Sequence, residues 1–239
     1  MTTWRDEAIV LGSRKSSEAN RVVFLLTEHH GKVVAAANGA RKSKTGTGAR
    51  LSPMNHVDVL VRPSRGMPTV EEVRLVTVQH RLHRDLVRLT QGIAMLEVVD
   101  KMTPEHEPVP RIFAMLRGAL ATLEETSSPL VLGAFYWKLL ELEGAGPVVS
   151  ACARCGSPDG LCFFDLSEGG AVCDGCGTGV PVSAAALGIL GMVLGGRLRG
   201  ALELEDSPAV QEVSNLAMNA MEAHLERGIR SLGVFDRHL

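Results

Sequence analysis

The sequence predicts an α+β protein with two unlike parts meeting near residue 80, and three observations predict it. Residues 7–78 break into short apolar or alternating runs of strand length. From about residue 80 the apolar residues recur at helical spacing instead. Within the helical part, the pairs Cys152/Cys155 and Cys173/Cys176 are separated by 17 residues. That spacing can bring four thiolates to one tetrahedral point.

The strands come first. Ala8–Leu11, Val22–Thr27 and Lys32–Ala37 are apolar and partly β-branched. Val57, Val59 and Val61 alternate with Asp58, Leu60 and Arg62, as on a half-buried strand. Val73, Leu75 and Thr77 alternate in the same way with Glu72, Arg74 and Val76. Turn chemistry separates the runs at Ser16–Asn20, His29–Gly31 and Pro63–Pro68, and the longest irregular stretch is Asn38–Pro53. Five strands in about 75 residues, with no helical period among them, predict a small closed barrel. An OB-fold has that strand count and size. The expected first domain is residues 1–80, an OB-fold suited to nucleic acid.

The helices follow. Leu86, Leu89, Ile93, Leu96 and Val99 mark one, ended by Pro104 and Pro108. A second runs from about Arg111 with Phe113, Leu116, Leu120 and Leu123 inward. A third starts near Pro129, carries Phe135, Tyr136 and Trp137, and stops at Gly144–Pro147. Ser183 is a cap for a helix to about Leu194, and Ser207-Pro208 opens a last one to about Arg230. The expected second domain is therefore residues 81–239, helical, with a cysteine module inserted at about 150–180.

Four cysteines at this spacing point to one structural Zn2+ per chain, held by Cys152, Cys155, Cys173 and Cys176 with no open coordination position. Gly156 and Gly177, one after each pair, can turn through positive φ and let backbone N–H groups face sulfur. Two disulfides or a redox CxxC are the alternatives. The first residues carry acids and lack an apolar h-region, so the expectation is a reducing, cytoplasmic compartment. No βαβ pattern surrounds either pair. Cys162, beside Phe163 and Phe164, reads as a small buried thiol. No apolar run approaches the ~20 residues that cross a bilayer, so no membrane partner is expected.

Charge is divided between the parts. Residues 1–80 hold 12 Lys+Arg against 7 Asp+Glu, or +5, and residues 81–239 hold 13 against 20, or −7. No acid stands between Glu28 and Asp58, a span containing Lys32, Arg41, Lys42, Lys44 and Arg50. Arg14, Lys15 and Arg21 flank the first interstrand turn, and Arg62 and Arg65 the last. In an OB-fold these turns border the binding face, and with the acid-free span they make all ten cations candidate nucleic-acid contacts. The bland alternative is a solvated surface loop. Trp4 and Phe24 are the only aromatic residues before residue 80, and Phe24 reads as core. Contact is therefore expected mainly at phosphates, tolerant of sequence and sensitive to salt.

Catalytic motifs are missing. The chain has no G-x-x-x-x-G-K-[ST], H-E-x-x-H or G-x-S-x-G. Asp6-Glu7 and Glu71-Glu72 are strand neighbours, which point to opposite faces and clamp a metal poorly. His29-His30, in a turn without a carboxylate or cysteine companion, reads as plain surface. The expectation is a protein that is not an enzyme and takes no small-molecule substrate. The rival readings are a zinc-containing nuclease or nucleic-acid-modifying enzyme, and a protein-docking module.

Several segments together resemble the RecO family of bacterial recombination mediators. They are Asp6–Leu11, Glu18–Thr27 leading to His30-Gly31-Lys32, Gly39–Lys42 with Arg50-Leu51, Leu139–Gly144 through Pro147, and the two cysteine pairs around Gly169-Gly170. The resemblance implies an N-terminal OB-fold, a helical domain and a zinc module. It also implies binding of single- and double-stranded DNA, strand annealing, and loading of recombinase onto DNA coated by single-strand-binding protein. Its implied partners are RecR and the acidic C-terminal tail of that coating protein. Such a tail needs an apolar groove with a cation at its rim. Arg117 and Lys138, on helices that also carry Phe113, Phe135 and Trp137, are the residues expected there.

Overall fold

The computed structural model describes residues 2–16, 20–38, 46–77 and 79–235, with side chains as far as Glu226. The chain forms two compact units, Met1–Thr126 and Ser127–Leu239.

In the first unit β1 (Trp4–Lys15), β2 (Arg21–Thr27), β3 (Gly31–Ala37), β4 (His56–Arg62) and β5 (Thr69–Thr77) close a barrel in the order β1-β2-β3-β5-β4. This is the expected OB-fold. The long first strand serves two neighbours: Trp4–Ile9 pair with β4 and Ala8–Lys15 with β2. A register shift between Val10 and Gly12 lets it bend from one to the other. Ala8, Val10, Val23, Leu25, Val33, Ala35, Val57, Val59 and Val61 fill the interior, so alternate residues face inward on each strand. β5 departs from the expected alternation. Its register slips opposite Leu60/Val61 and again opposite His56/Val57, and only Val70 and Val73 are buried. Leu75 and Val76 are exposed instead. A short helix, α1 (Thr47–Arg50), lies in the stretch expected to be irregular.

Two helices complete this unit, α2 (Leu86–Met102) and α3 (Pro110–Glu125). Asp85 caps α2 by accepting from the N–H groups of Val87 and Arg88 at 2.9 and 3.2 Å. Ile9 and Leu26, on the outer faces of their strands, are as buried as the barrel interior. Gly92 of α2 leaves room for the Met54 side chain beside β4. Lys32 of β3 donates to the Asp100 carbonyl on α2 at 2.6 Å. The change from strands to helices near residue 80 therefore lies within one compact unit.

In the second unit α4 (Val131–Leu142) and α7 (Pro208–Phe235) pack closely. The Trp137 indole donates to the Val213 carbonyl at 3.1 Å, and a Cβ at Gly133 would press on Ser214. Ser183 caps α5 (Ala184–Leu194) as expected, accepting from Ala186 N–H at 3.1 Å. The short α6 (Leu198–Leu202) has no strong sequence signal. Between α4 and α5 lies a small sheet of β6 (Leu161–Asp165), β7 (Gly170–Cys173) and β8 (Val180–Pro181), ordered β7-β6-β8. Phe164 of β6 packs at a tilt on Trp137, with ring centroids 5.8 Å apart. No described helix is long and apolar enough to cross a membrane.

Candidate metal centre and nucleic-acid interface

The cysteine module is built from two tight turns. Gly156 N–H donates to the Cys152 carbonyl at 2.9 Å, and Gly177 N–H to the Cys173 carbonyl at 3.1 Å. Both glycines have positive φ, 76° and 52°, as the sequence led us to expect. One sulfur from each of Cys152, Cys155, Cys173 and Cys176 lies within 4.8 Å of all the others. A tetrahedral site with metal–sulfur bonds of about 2.3 Å places its sulfurs roughly 3.8 Å apart. The Cys155 and Cys173 sulfurs are 3.7 Å apart. The geometry fits a metal ion held by sulfur alone.

The electrostatics fit as well. Backbone N–H groups of Cys155 and Cys173 draw the Cys152 thiol down to about 6. Crowding by the Cys173 and Cys155 sulfurs pushes Cys176 up to about 12. One negative charge is welcome here, and further ones need a cation among them. Val172, Leu161 and Phe163 form an apolar shell around the sulfurs. Cys162 stands outside the cluster and is half-buried, more exposed than expected, because β6 bulges at this point.

Of the ten candidate DNA contacts, Arg41, Lys42 and Lys44 lie outside the described residues. Arg14 and Lys15 are exposed at the end of β1, Arg21 begins β2, and Arg65 is exposed in the β4–β5 turn. Among the described residues none of these four makes an ion pair. The other three are engaged. Lys32, with 14% of its side chain exposed, pairs with Asp100 at 3.3 Å. Arg62 pairs with Glu71 at 2.9 Å, and Arg50 donates to the Val73 carbonyl at 3.2 Å. Phe24 is not core, contrary to expectation. It is half-buried on the outer face of β2, between inward-facing Val23 and Leu25, and the Arg14 guanidinium lies 5.7 Å from its ring centre.

The aromatic residues expected to line a groove are buried. Phe113, Phe135 and Trp137 are 0%, 4% and 1% exposed, because their helices turn those faces into the core. Arg117, in the first unit, lies over Phe113 and 3.7 Å from Glu7. Lys138, in the second, pairs with Glu141 at 2.5 Å.

Sequence reading missed one polar site. The buried Asp6 carboxylate accepts from the His29 backbone N–H at 2.9 Å, and its oxygens lie 2.9 and 2.7 Å from Nδ1 of His29 and His30. Burial pushes the Asp6 carboxyl up, but the histidine hydrogen bonds outweigh it and hold it below its ordinary range. The same contact raises His29. His30 in turn stacks on Trp4, ring centroids 3.9 Å apart and planes at 13°. These histidines are tied to a carboxylate 23 and 24 residues away, across a strand pair, where no local pattern reveals it.

Residues 1–79 match the family model described as Recombination protein O N terminal, and residues 83–233 match Recombination protein O C terminal. The chain belongs to the RecO family. Its relatives in that family include a DNA repair protein RecO of Streptomyces coelicolor, 39% identical over 250 residues, and one of Streptomyces avermitilis, 40% identical over 250. A RecO of Frankia casuarinae is 35% identical over 243. Each alignment covers 99% of this chain and 100% of the relative.

Proposed function

We propose that this chain is a non-enzymatic DNA-binding mediator of recombinational repair. It anneals complementary strands and helps load recombinase onto DNA coated by single-strand-binding protein. The observation that carries this reading is a basic OB barrel, +5 over residues 1–80, in a chain similar over its whole length to DNA repair proteins named RecO. Phosphate contacts come from Arg14, Lys15, Arg21 and Arg65, and from Arg41, Lys42, Lys44 and Arg50. Both single- and double-stranded DNA are ligands, since charge contacts to phosphate read neither sequence nor pairing. RecR and the acidic tail of the coating protein are the protein partners. The protein works in the cytoplasm, at the nucleoid. The four cysteines hold zinc, which serves structure because all four positions are filled by sulfur.

An annealing assay on complementary oligonucleotides, run across salt concentrations, tests the reading. With about five phosphates neutralised, log K falls against log salt with slope near −3.5 on single strands. Reversing Arg41 and Lys42 to Glu weakens all sequences alike and flattens the slope by about one unit or more. Wild-type annealing by that double variant would sink the proposal. Strand cleavage in added Mg2+ would favour the nuclease reading instead.

A further inference from the structure

We propose that the cleft bounded by Trp4, the β2–β3 turn, the β4–β5 turn and the α2–α3 connection is a docking site for one unpaired nucleobase, an inference that rests on the DNA-binding reading above.

The cleft has a volume of about 400 Å³. That is within the range of small-ligand sites and suits one nucleotide. Its floor is built before any ligand arrives. Trp4 packs against the barrel core, and its ring lies almost parallel to that of His30. His30 is held through Nδ1 by Asp6, whose own side chain is 2% exposed. A ring oriented by a buried carboxylate keeps its position at little further entropic cost on binding. The walls are flat and apolar: Pro63, Pro68 and Pro108. Prolines offer no backbone N–H, so these walls favour the face of a ring over a hydrogen-bonding chain.

Polar groups sit where a nucleotide would use them. His29 and His106 also line the cleft. His106 holds a left-handed backbone, φ 64°, fixed by donation of its N–H to the Lys32 carbonyl at 2.9 Å. Non-glycine residues take that conformation rarely, and such strain gathers at binding sites. Among the described residues no carboxylate lines the cleft; in sequence, exposed Arg65 stands between the lining residues Ser64 and Gly66, and exposed Glu107 between His106 and Pro108. The stacked ring pair inside the cleft matches a base, and Arg65 in the β4–β5 turn is the cation available to its phosphate. An acidic peptide would satisfy Arg65 but gives no use to the parallel ring stack.

Phosphate contacts hold any sequence, and one stacked base adds a preference for unpaired DNA, since a base within a duplex is not free to enter. The barrel then distinguishes single strands from duplex with a single pocket, despite having so few aromatic residues.

The test compares a dT 12-mer with an abasic 12-mer of the same phosphate count, binding to the full-length protein, with tryptophan emission as the readout. Trp137 is 1% exposed, so a ligand-dependent change reports Trp4. The dT oligomer should change the emission and bind about tenfold more tightly than the abasic one, the effect expected of one stacked base. Trp4→Ala should reduce dT affinity to the abasic level, and Trp4→Phe should retain much of it. The wild-type comparison of the two oligomers stands even if Trp4→Ala does not fold. Equal affinity and unchanged emission with both oligomers would overturn the base site and leave phosphate binding intact. Binding of neither would sink the DNA-binding reading itself. Emission that responds to an Asp/Glu-rich peptide and not to dT would assign the cleft to a protein partner and overturn the proposal.

Discussion

Replacing Asp6 with Ala removes the group that ties the β2–β3 turn to β1. Its carboxylate, 2% exposed, receives the His29 backbone N–H and both imidazole rings. The His29 ring is 72% exposed and regains water when released, so its contact contributes little. The backbone bond and the His30 bond are better shielded, and bonds to a charged acceptor contribute about 1.5 kcal/mol each at the low end. Freeing the protein from a buried carboxylate returns part of that sum. The net cost is about 1–2 kcal/mol, which lowers the melting temperature of a unit this size by about 5 °C.

The effect has a pH window. Asp6 titrates below its ordinary range, so its contribution is present above about pH 4 and is lost as pH falls through the folded value. His29 titrates above its ordinary range, so its share is complete below about pH 6.5 and is lost as pH rises through the folded value. The difference between wild type and Asp6→Ala should therefore be present above about pH 4 and shrink as pH falls through the folded Asp6 value, with only a small further loss as pH rises above about 6.5. Thermal melts followed by circular dichroism from pH 3 to pH 9 measure it. Equal melting temperatures at pH 5.5, or a difference that ignores pH, would refute the clamp.

Purified protein should carry about one zinc per chain by elemental analysis, with Cys155→Ser losing it and Cys162→Ala keeping it. Unchanged thermal stability after chelation would contradict a structural metal. Gly31→Ala should cost more than about 2 kcal/mol in denaturant melts, since φ is 70° and a Cβ there would collide with the Glu107 backbone. Gly144→Ala, with φ 76° but open space around it, should cost only about 1 kcal/mol. Lys32→Met should destabilise by about 1–2 kcal/mol through its lost bond to Asp100 while DNA affinity stays within about twofold. Arg65→Glu should show the reverse pattern, and a matching loss of affinity in both would make Lys32 a DNA contact after all.

What the sequence disclosed follows from how local each signal is. The cysteine pairs, the Ser183 cap and the valine alternation of β4 are written within a few residues, and all three are present in the structure. The bulges of β5 depend on β4, so its buried positions shifted from those the alternation implied. Phe24 was misplaced because an apolar run conceals which of its residues faces out. Asp6 and its histidines meet only when β1 and β2 pair, and the Trp4 cleft draws on four separate segments. Phe113 and Trp137 carry helical periodicity whether they line a groove or fill a core. Burial alone decided between the two.

The closure of the barrel bears on the order in which it assembles. β1, β2 and β3 follow one another in sequence and can zip together from their turns. β3 and β5 meet instead in parallel, through one register pair among the described residues, Ala36 with Thr69. The Ala36 N–H adds a bond to the Pro68 carbonyl at 2.8 Å. Joining these strands requires closing a loop that contains α1 and all of β4, an entropic cost that neighbouring strands do not meet. The barrel is thus a curled sheet with a single fastener. That seam should form last on folding, and its amides should exchange with solvent in a partial opening that leaves the β1–β2–β3 meander intact.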